Sequence, residues 1–352
     1  MKKIYFLDVL RLIAFVFIIV YHFIVELEIR AIYDFKEVGI VYLNENMHIA
    51  TLGVALFFMI SGAGLMLSTK DGLDLKIYYK KRFWRIFIPF YIVYMSYMLF
   101  LFAIKGGSPF AEGIPVWRFI FTLMGMDQYL ATCGQITFSL GIGEWFLGCL
   151  ILMYLVFPLL RKCMLKNKWV TLSVATTYFL VLVFNYHFQI QPYMNFFVKI
   201  YDFVLGMFLI LVWEELQKLN APVKIRIWSL VITVPVIGVF LFWKKSLPIP
   251  VSLKIVILAV AVFVFAMQFE GPMSSSRILL KVLQFVRLYS FEIFLVHHAI
   301  IGQFAEYYTG RKFLFKETLI LFVVEMCIIF LLAFILKKAE KQIDVLVKNK
   351  KT

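Results

Sequence analysis

Three side chains that rarely lie in hydrocarbon share one stretch, LDVLRLIAFVFIIVYHF from Leu7 to Phe23: an acid at Asp8, a guanidinium at Arg11 and an imidazole at His22. Asp8 and Arg11 stand three apart, which on a helix makes them neighbours on one face. The step of eleven residues from Arg11 to His22 returns to nearly the same face and climbs about 16 Å. One stripe therefore carries a cation toward one end and, toward the other, the side chain most often used for proton transfer. The plainer alternative is an ion pair at one headgroup layer and a snorkelling histidine beside Tyr21 at the other. A charge near the middle of a spanning helix costs about 2.5 to 3.5 kcal/mol on insertion scales, so it is rarely kept without a partner or a task.

The elements that must position this stripe follow from composition. The 352 residues are 63% hydrophobic and only 16% charged, with a mean hydropathy of +0.90, where a soluble domain is nearer half apolar and a quarter charged. An all-α integral membrane protein with a polar central cavity is expected. Apolar runs of spanning length fall at roughly 4–26, 47–67, 86–104, 144–160, 169–188, 194–213, 227–243, 251–268, 285–304 and 318–336, which predicts ten transmembrane helices. Residues 1–336 are read as one membrane domain and 337–352 as a basic cytoplasmic tail, with no appended soluble domain. The start MKKIYF resembles a secretory signal, but Asp8 and Arg11 interrupt the run behind it, so a retained first span is expected.

The net charge of +15 would point to nucleic acid in a soluble protein. Here most Lys and Arg gather in alternate loops: Lys2, Lys3, Lys70, Lys76, Lys80, Lys81, Arg82 and Arg85 on one side, with Arg161, Lys162, Lys166, Lys168, Lys218, Lys224, Arg226, Arg277, Lys281, Arg287 and the lysines of the tail. That asymmetry predicts both termini in the cytoplasm of a multi-pass protein of the cell membrane and makes the charge topological, not a nucleic-acid footprint. The outer segment 105–143 contains GIPVWRFIFTLMGMDQYL, too short and interrupted to span, and is expected to lie at the interface as a lid, an acceptor-binding loop or an aromatic belt. Cys133, Cys149, Cys163 and Cys327 show no CxxC or Cys/His spacing, so neither a disulfide framework nor a metal is expected.

Other residues with chemistry are scattered. In YYKKRFWRIFIPFY, taken as the end of a basic loop, Arg82 and Arg85 can present two guanidinium forks to a phosphorylated ligand at the inner mouth. Glu144 opens the fourth span, Glu292 and His297 lie in the ninth, and Glu325 stands midway along the tenth. Any of these acids could orient His22 or hold a hydroxyl, with Glu292 the first choice. Lys199 and Asp202, at i and i+3, read as a structural ion pair, and His48 and His187 as interfacial residues. Ser61 and Gly62 are expected to let the first and second helices approach closely, with Ser61 not a nucleophile.

The sequence resembles the membrane acyltransferase-3 family at several points in order. Arg11 and His22 match its R/K-x10-H motif, FFMISG from Phe57 to Gly62 its FFxISG motif, and RFWR from Arg82 to Arg85 its RxxR motif. Further similarity lies in EWFLGCLILMYLVFPLL, YDFVLGMFL and YSFEIFLVHH, so the resemblance covers almost the whole chain. Members move an acyl group, usually acetyl from acetyl-CoA, onto hydroxyls of glycans, lipids or small molecules. The resemblance implies that His22 is the catalytic histidine and that Arg11, Arg82 and Arg85 serve the donor; Asp8 then orients or neutralises Arg11. Acetyl-CoA is then a co-substrate, no cofactor is bound, and the acceptor is a surface or lipid-linked glycan in contact with membrane lipids. The competing class is a secondary transporter or glycan flippase, because charges at membrane depth also mark substrate paths, but no inverted repeat or paired broken helices favour it.

Overall fold

The computed structural model describes residues 4–35, 42–44, 47–106, 108, 110, 112–187, 189–218, 223–243, 248–270 and 276–349. Lys2, Lys3 and the tail beyond 349, all used in the charge reading, lie outside them. The described chain is almost wholly helical: α1 Tyr5–Ile29, α2 Ile49–Ser68, α3 Leu75–Lys105, α4 Phe119–Leu123, α5 Asp127–Thr132, α6 Glu144–Lys166, α7 Lys168–Asn185, α8 Phe196–Lys218, α9 Val223–Phe242, α10 Val251–Met267, α11 Arg277–Tyr307 and α12 Phe315–Asn349. Each of the ten expected spans falls on a helix. Among the described residues, eight helices are long and apolar enough to cross a membrane, and α10 is a shorter apolar helix of 17 residues. This is an all-α, multi-pass membrane protein.

The chain folds into two compact units. The first comprises Met1–Tyr21, Ile40–Leu75 and Leu152–Arg287. Its centre is the contact of α2 with α8, where small residues replace side-chain packing by backbone contact. A Cβ on Gly62 would collide with the carbonyl of Phe203, and one on Gly206 with that of Met59. Gly62 therefore serves α8 and not the first helix. The residue of α2 that admits α1 is Gly53, whose added Cβ would stand 2.8 Å from the carbonyl of Ala14.

Around that seam, fully buried Phe6 packs on Trp213 and Phe263 with ring centroids 5.5 and 5.7 Å away. Lys199 and Asp202 pair inside α8, as their spacing predicts, with the ammonium 6.0 Å from the ring of Phe58. Asn167 ends α6 and starts α7, its side chain accepting from the backbone N–H groups of Trp169 and Val170. Most large apolar side chains of α7 and α9, including Val174, Val181, Phe184, Trp228, Ile232 and Val239, are exposed. Helices apolar on their outer faces with nothing packed there have lipid as their solvent.

The second unit comprises His22–Gly39, Lys76–Ile151 and Leu288–Thr352. Here the structure corrects one boundary: Lys76 to Arg85, read as loop, belongs to α3, which begins at Leu75 and runs through Pro89. No Gly or Pro interrupts 75–88, and Lys80, Lys81 and Arg85 stay exposed while Tyr78 and Ile86 are buried, so a charged amphipathic start extends the span. The segment 105–143 makes short helical turns and, among the described residues, no span. It closes on itself: Asp127 Oδ1 accepts from the Phe138 N–H at 3.1 Å, Arg118 donates to the Ile136 carbonyl at 2.7 Å, and Val116, Trp117, Ile120 and Met124 are left exposed. At the other end α12 continues past 336, and Lys337 pairs with Glu292 and Glu340, so the start of the expected tail is part of the fold.

Candidate functional site

Within the second unit three segments bring acids and imidazoles together. His22 comes from the C-terminal part of α1, and Glu26, four residues on, lies one turn further along the same face. The helix stops just beyond, where Ala31 takes a left-handed φ of 54° and the Ile32 N–H bonds back to the Leu27 carbonyl. Arg30, at that stop, reaches back to pair with Glu26.

Glu144 arrives by a strained turn. In GIGE, Gly141 and Gly143 have φ of 75° and 77°, which glycine adopts without cost. Glu144 itself sits at φ 46°, a left-handed conformation that costs a residue with a Cβ on the order of 1 kcal/mol or more. The carboxylate so placed opens α6, at the end of the helix where the aligned peptide dipoles favour negative charge.

Three imidazoles surround that carboxylate. His22 Nε2 lies 3.3 Å from Glu144 Oε2, His297 Nε2 3.4 Å from Oε1 and His298 Nδ1 3.7 Å from Oε1. The ring centroid of His22 is 5.2 Å from that of His297 and 4.7 Å from that of His298. His298 also extends the array, its Nε2 lying 3.3 Å from Glu26 Oε1. Exposure grades along the cluster, from a side chain 1% exposed at His297 through 16% at His22 to 30% at His298. The protected end is His297 and the open end His298, with the central acid between.

The tautomers follow from partners. His297 Nδ1 is 2.8 Å from the Phe294 carbonyl, which can only accept, so Nδ1 carries the proton and Nε2 presents a lone pair toward Glu144. For His22 the carboxylate at Nε2 favours the proton there, which leaves Nδ1 as the basic nitrogen.

The remaining candidates lie elsewhere. In the first unit Asp8 is held between Arg11 and Arg287, the latter at 3.3 Å, so this cluster carries one surplus positive charge. Arg82 and Arg85 share a face of α3, with the Arg82 guanidinium 5.7 Å from the ring of Tyr78. Glu292, the first choice for orienting His22, is buried against Lys337, and the acid beside His22 is Glu144. Glu325 is fully buried, and among the described residues neither carboxylate oxygen has a hydrogen-bond partner. Ser61 stands beside Gly62 in α2 and makes no part of the histidine cluster. His48 packs on Tyr21 in the first unit, and burial pushes its pKa down. Glu26, Arg30 and His298 were not singled out from the sequence. The i, i+4 spacing of His22 and Glu26 was the available signal for the first of them.

A family model described as an acyltransferase domain matches residues 4–338, nearly the whole chain. No curated protein and no solved structure matches.

Proposed function

The chain belongs to the acyltransferase-3 family and is a membrane acyltransferase, and from that premise we propose that it carries acetyl from acetyl-CoA to a hydroxyl of a surface or lipid-linked glycan. The observation that supports this most is the approach of Glu144 to the histidine of the R/K-x10-H motif, His22, at 3.3 Å. Acyl transfer to an alcohol needs a base for the hydroxyl proton and a group that stabilises the resulting imidazolium. In this reading His22 Nδ1 takes the proton as the hydroxyl oxygen attacks the thioester carbonyl. Glu144 holds Nε2–H and balances the positive charge. The carbon–sulfur bond then breaks, and the thiolate leaves with the proton as CoA thiol. A carboxylate behind the imidazole is the relation that acid–imidazole pairs use in other acyl transfers.

The donor's phosphates are assigned to Arg82 and Arg85, because guanidinium pairs bind phosphate by charge-assisted hydrogen bonds, and Arg11, which shares Asp8 with Arg287, positions the donor arm. Acetyl-CoA is a co-substrate and no resident cofactor is needed. Both termini are placed in the cytoplasm of the cell membrane. A single cysteine at Lys81 should then stay unlabelled by an impermeant reagent on intact cells, and labelling from outside would overturn the orientation. The activity itself is tested by incubating purified protein in lipid vesicles with acetyl-CoA and membrane glycan. CoA thiol release that depends on the glycan, with acetyl ester appearing on it, is the expected result. Transport of glycan without ester formation would give the site to a flippase.

A further inference from the structure

The geometry points to a binding site for one divalent first-row metal ion of the zinc class, held by His22 Nε2, the Glu144 carboxylate and His297 Nε2, whose capture withdraws the base from acyl transfer. These three ligand-type atoms lie within 4.8 Å of one another and come from three segments. The contacts of 3.3 Å from His22 and 3.4 Å from His297 to Glu144 are long for hydrogen bonds to a carboxylate. Each, to a different oxygen of the one carboxylate, is near the ligand-to-ligand separation of a tetrahedral site, about 3.4 Å for bonds of about 2.0 to 2.1 Å from zinc to imidazole nitrogen or carboxylate oxygen.

A second observation is independent of that fit. His297 spends its proton on the Phe294 carbonyl at 2.8 Å, so a lone pair at Nε2 faces the lone pairs of Glu144 Oε1. Both atoms are buried without a hydrogen-bond partner among the described residues. Two acceptors facing each other in a buried place call for a cation between them. The Nδ1–H to carbonyl bond is also what fixes a metal-binding histidine in the right tautomer and raises the basicity of its other nitrogen. Two imidazoles and one carboxylate form a donor set that zinc accepts with a fourth position open.

The consequence for activity rests on the acyltransferase reading. A metal on His22 Nε2 replaces the proton there and leaves the neutral ring protonated on Nδ1, the atom assigned to take the acceptor's proton. The metal is then an inhibitor that competes for the base, not a resident cofactor.

The test uses the full chain in detergent, stripped with chelator and titrated with cobalt(II). Expected are the visible bands of four-coordinate cobalt at one equivalent per chain, their loss on adding zinc, and binding weakened at least about tenfold in Glu144→Gln and in His297→Ala, the scale on which metal sites respond to altered ligands and their supports. Glu325→Gln, a buried acid outside the cluster, should bind as the parent does. If His297→Ala shifts the melting temperature, His297→Gln keeps the volume and removes the ligand. No four-coordinate spectrum with cobalt in excess, or equal binding by parent and site variants, would overturn the site and leave a proton as the shared cation. The spectrum needs no turnover, so a protein that transfers acetyl but gives no four-coordinate cobalt spectrum refutes this inference alone, and one that binds cobalt but shows no transfer after the metal is stripped refutes the acyltransferase reading alone.

Discussion

Both units bury an acid beside a cationic or basic partner, and the two arrangements differ in what they leave available. In the first, Lys199 and Asp202 belong to one turn of one helix, both deeply buried, with the ammonium close to the ring of Phe58. In the second, Glu144 comes from a strained turn and meets imidazoles from α1 and α11, at contacts of 3.3 to 3.7 Å. The first pair is local, complementary in charge and closed. The second holds one carboxylate among three rings and opens toward the surface through His298, a place where protons can move. A structural ion pair neutralises itself, whereas a reactive cluster keeps more basic atoms than it has protons.

The largest effect expected from breaking this contrast is on stability, in the closed pair. Lys199→Ala leaves the Asp202 carboxylate buried and uncompensated, which costs about 3 to 5 kcal/mol. Replacing both, Lys199→Met with Asp202→Leu, should restore most of the melting temperature and leave turnover within a few-fold of the parent. A double variant as unstable as the single one would mean that the pair does more than neutralise itself.

A smaller effect is expected at Arg82 and Arg85, the proposed donor site. Arg82→Ala with Arg85→Ala should raise the apparent KM for acetyl-CoA about tenfold, the loss of roughly one charge-assisted bond, with kcat and acceptor KM nearly unchanged. Unaltered donor KM in steady-state assays would leave these arginines as topology signals alone.

How far the sequence reached can be traced through the same residues. Eight of the ten expected spans, those on α1 to α3, α6 to α9 and α12, were legible because continuous apolar composition needs no tertiary information, and Lys199 with Asp202 because i, i+3 neighbours are fixed by the helix itself. The stripe from Arg11 to His22 was legible for the same reason. The acid beside His22 was not: Glu144, Glu292 and Glu325 all stand in spans, and only packing decides which one reaches an imidazole. Glu144 was kept as a candidate, but the glycines that set its backbone, Gly141 and Gly143, were not read as a device for aiming it. The start of α3 was misread because a dense run of lysine and arginine resembles a loop, although nothing in it breaks a helix. Gly62 was recognised as a close-approach residue with the wrong neighbour, since spacing gives the face of a helix and not what meets that face.

The smallest expected effect lies in the segment 105–143 of the second unit. Burial raises the Asp127 carboxyl above its ordinary range, with backbone and threonine hydrogen bonds opposing. The folded state therefore binds this proton more tightly than the unfolded state. Stability carried by the segment is lower at neutral pH, rises as pH falls through the folded pKa, and stops rising below the unfolded value of about 3.9. Asp127→Asn should melt slightly higher than the parent at neutral pH, with the difference vanishing toward about pH 4. A difference that does not change with pH would assign the effect to lost hydrogen bonds.

The central claim is that His22 and Glu144 act as one unit in acyl transfer, and the most direct measurement is turnover of His22→Ala, Glu144→Gln and the double variant, each with an unchanged melting temperature. The base variant should lose roughly 10²-fold or more in kcat, the usual scale for general-base catalysis, with acetyl-CoA still bound. Because the carboxylate works through the imidazole, adding Glu144→Gln to His22→Ala should cost little further, as for other residues that act together. Near-parental turnover in His22→Ala, or losses that simply multiply in the double variant, would contradict the account.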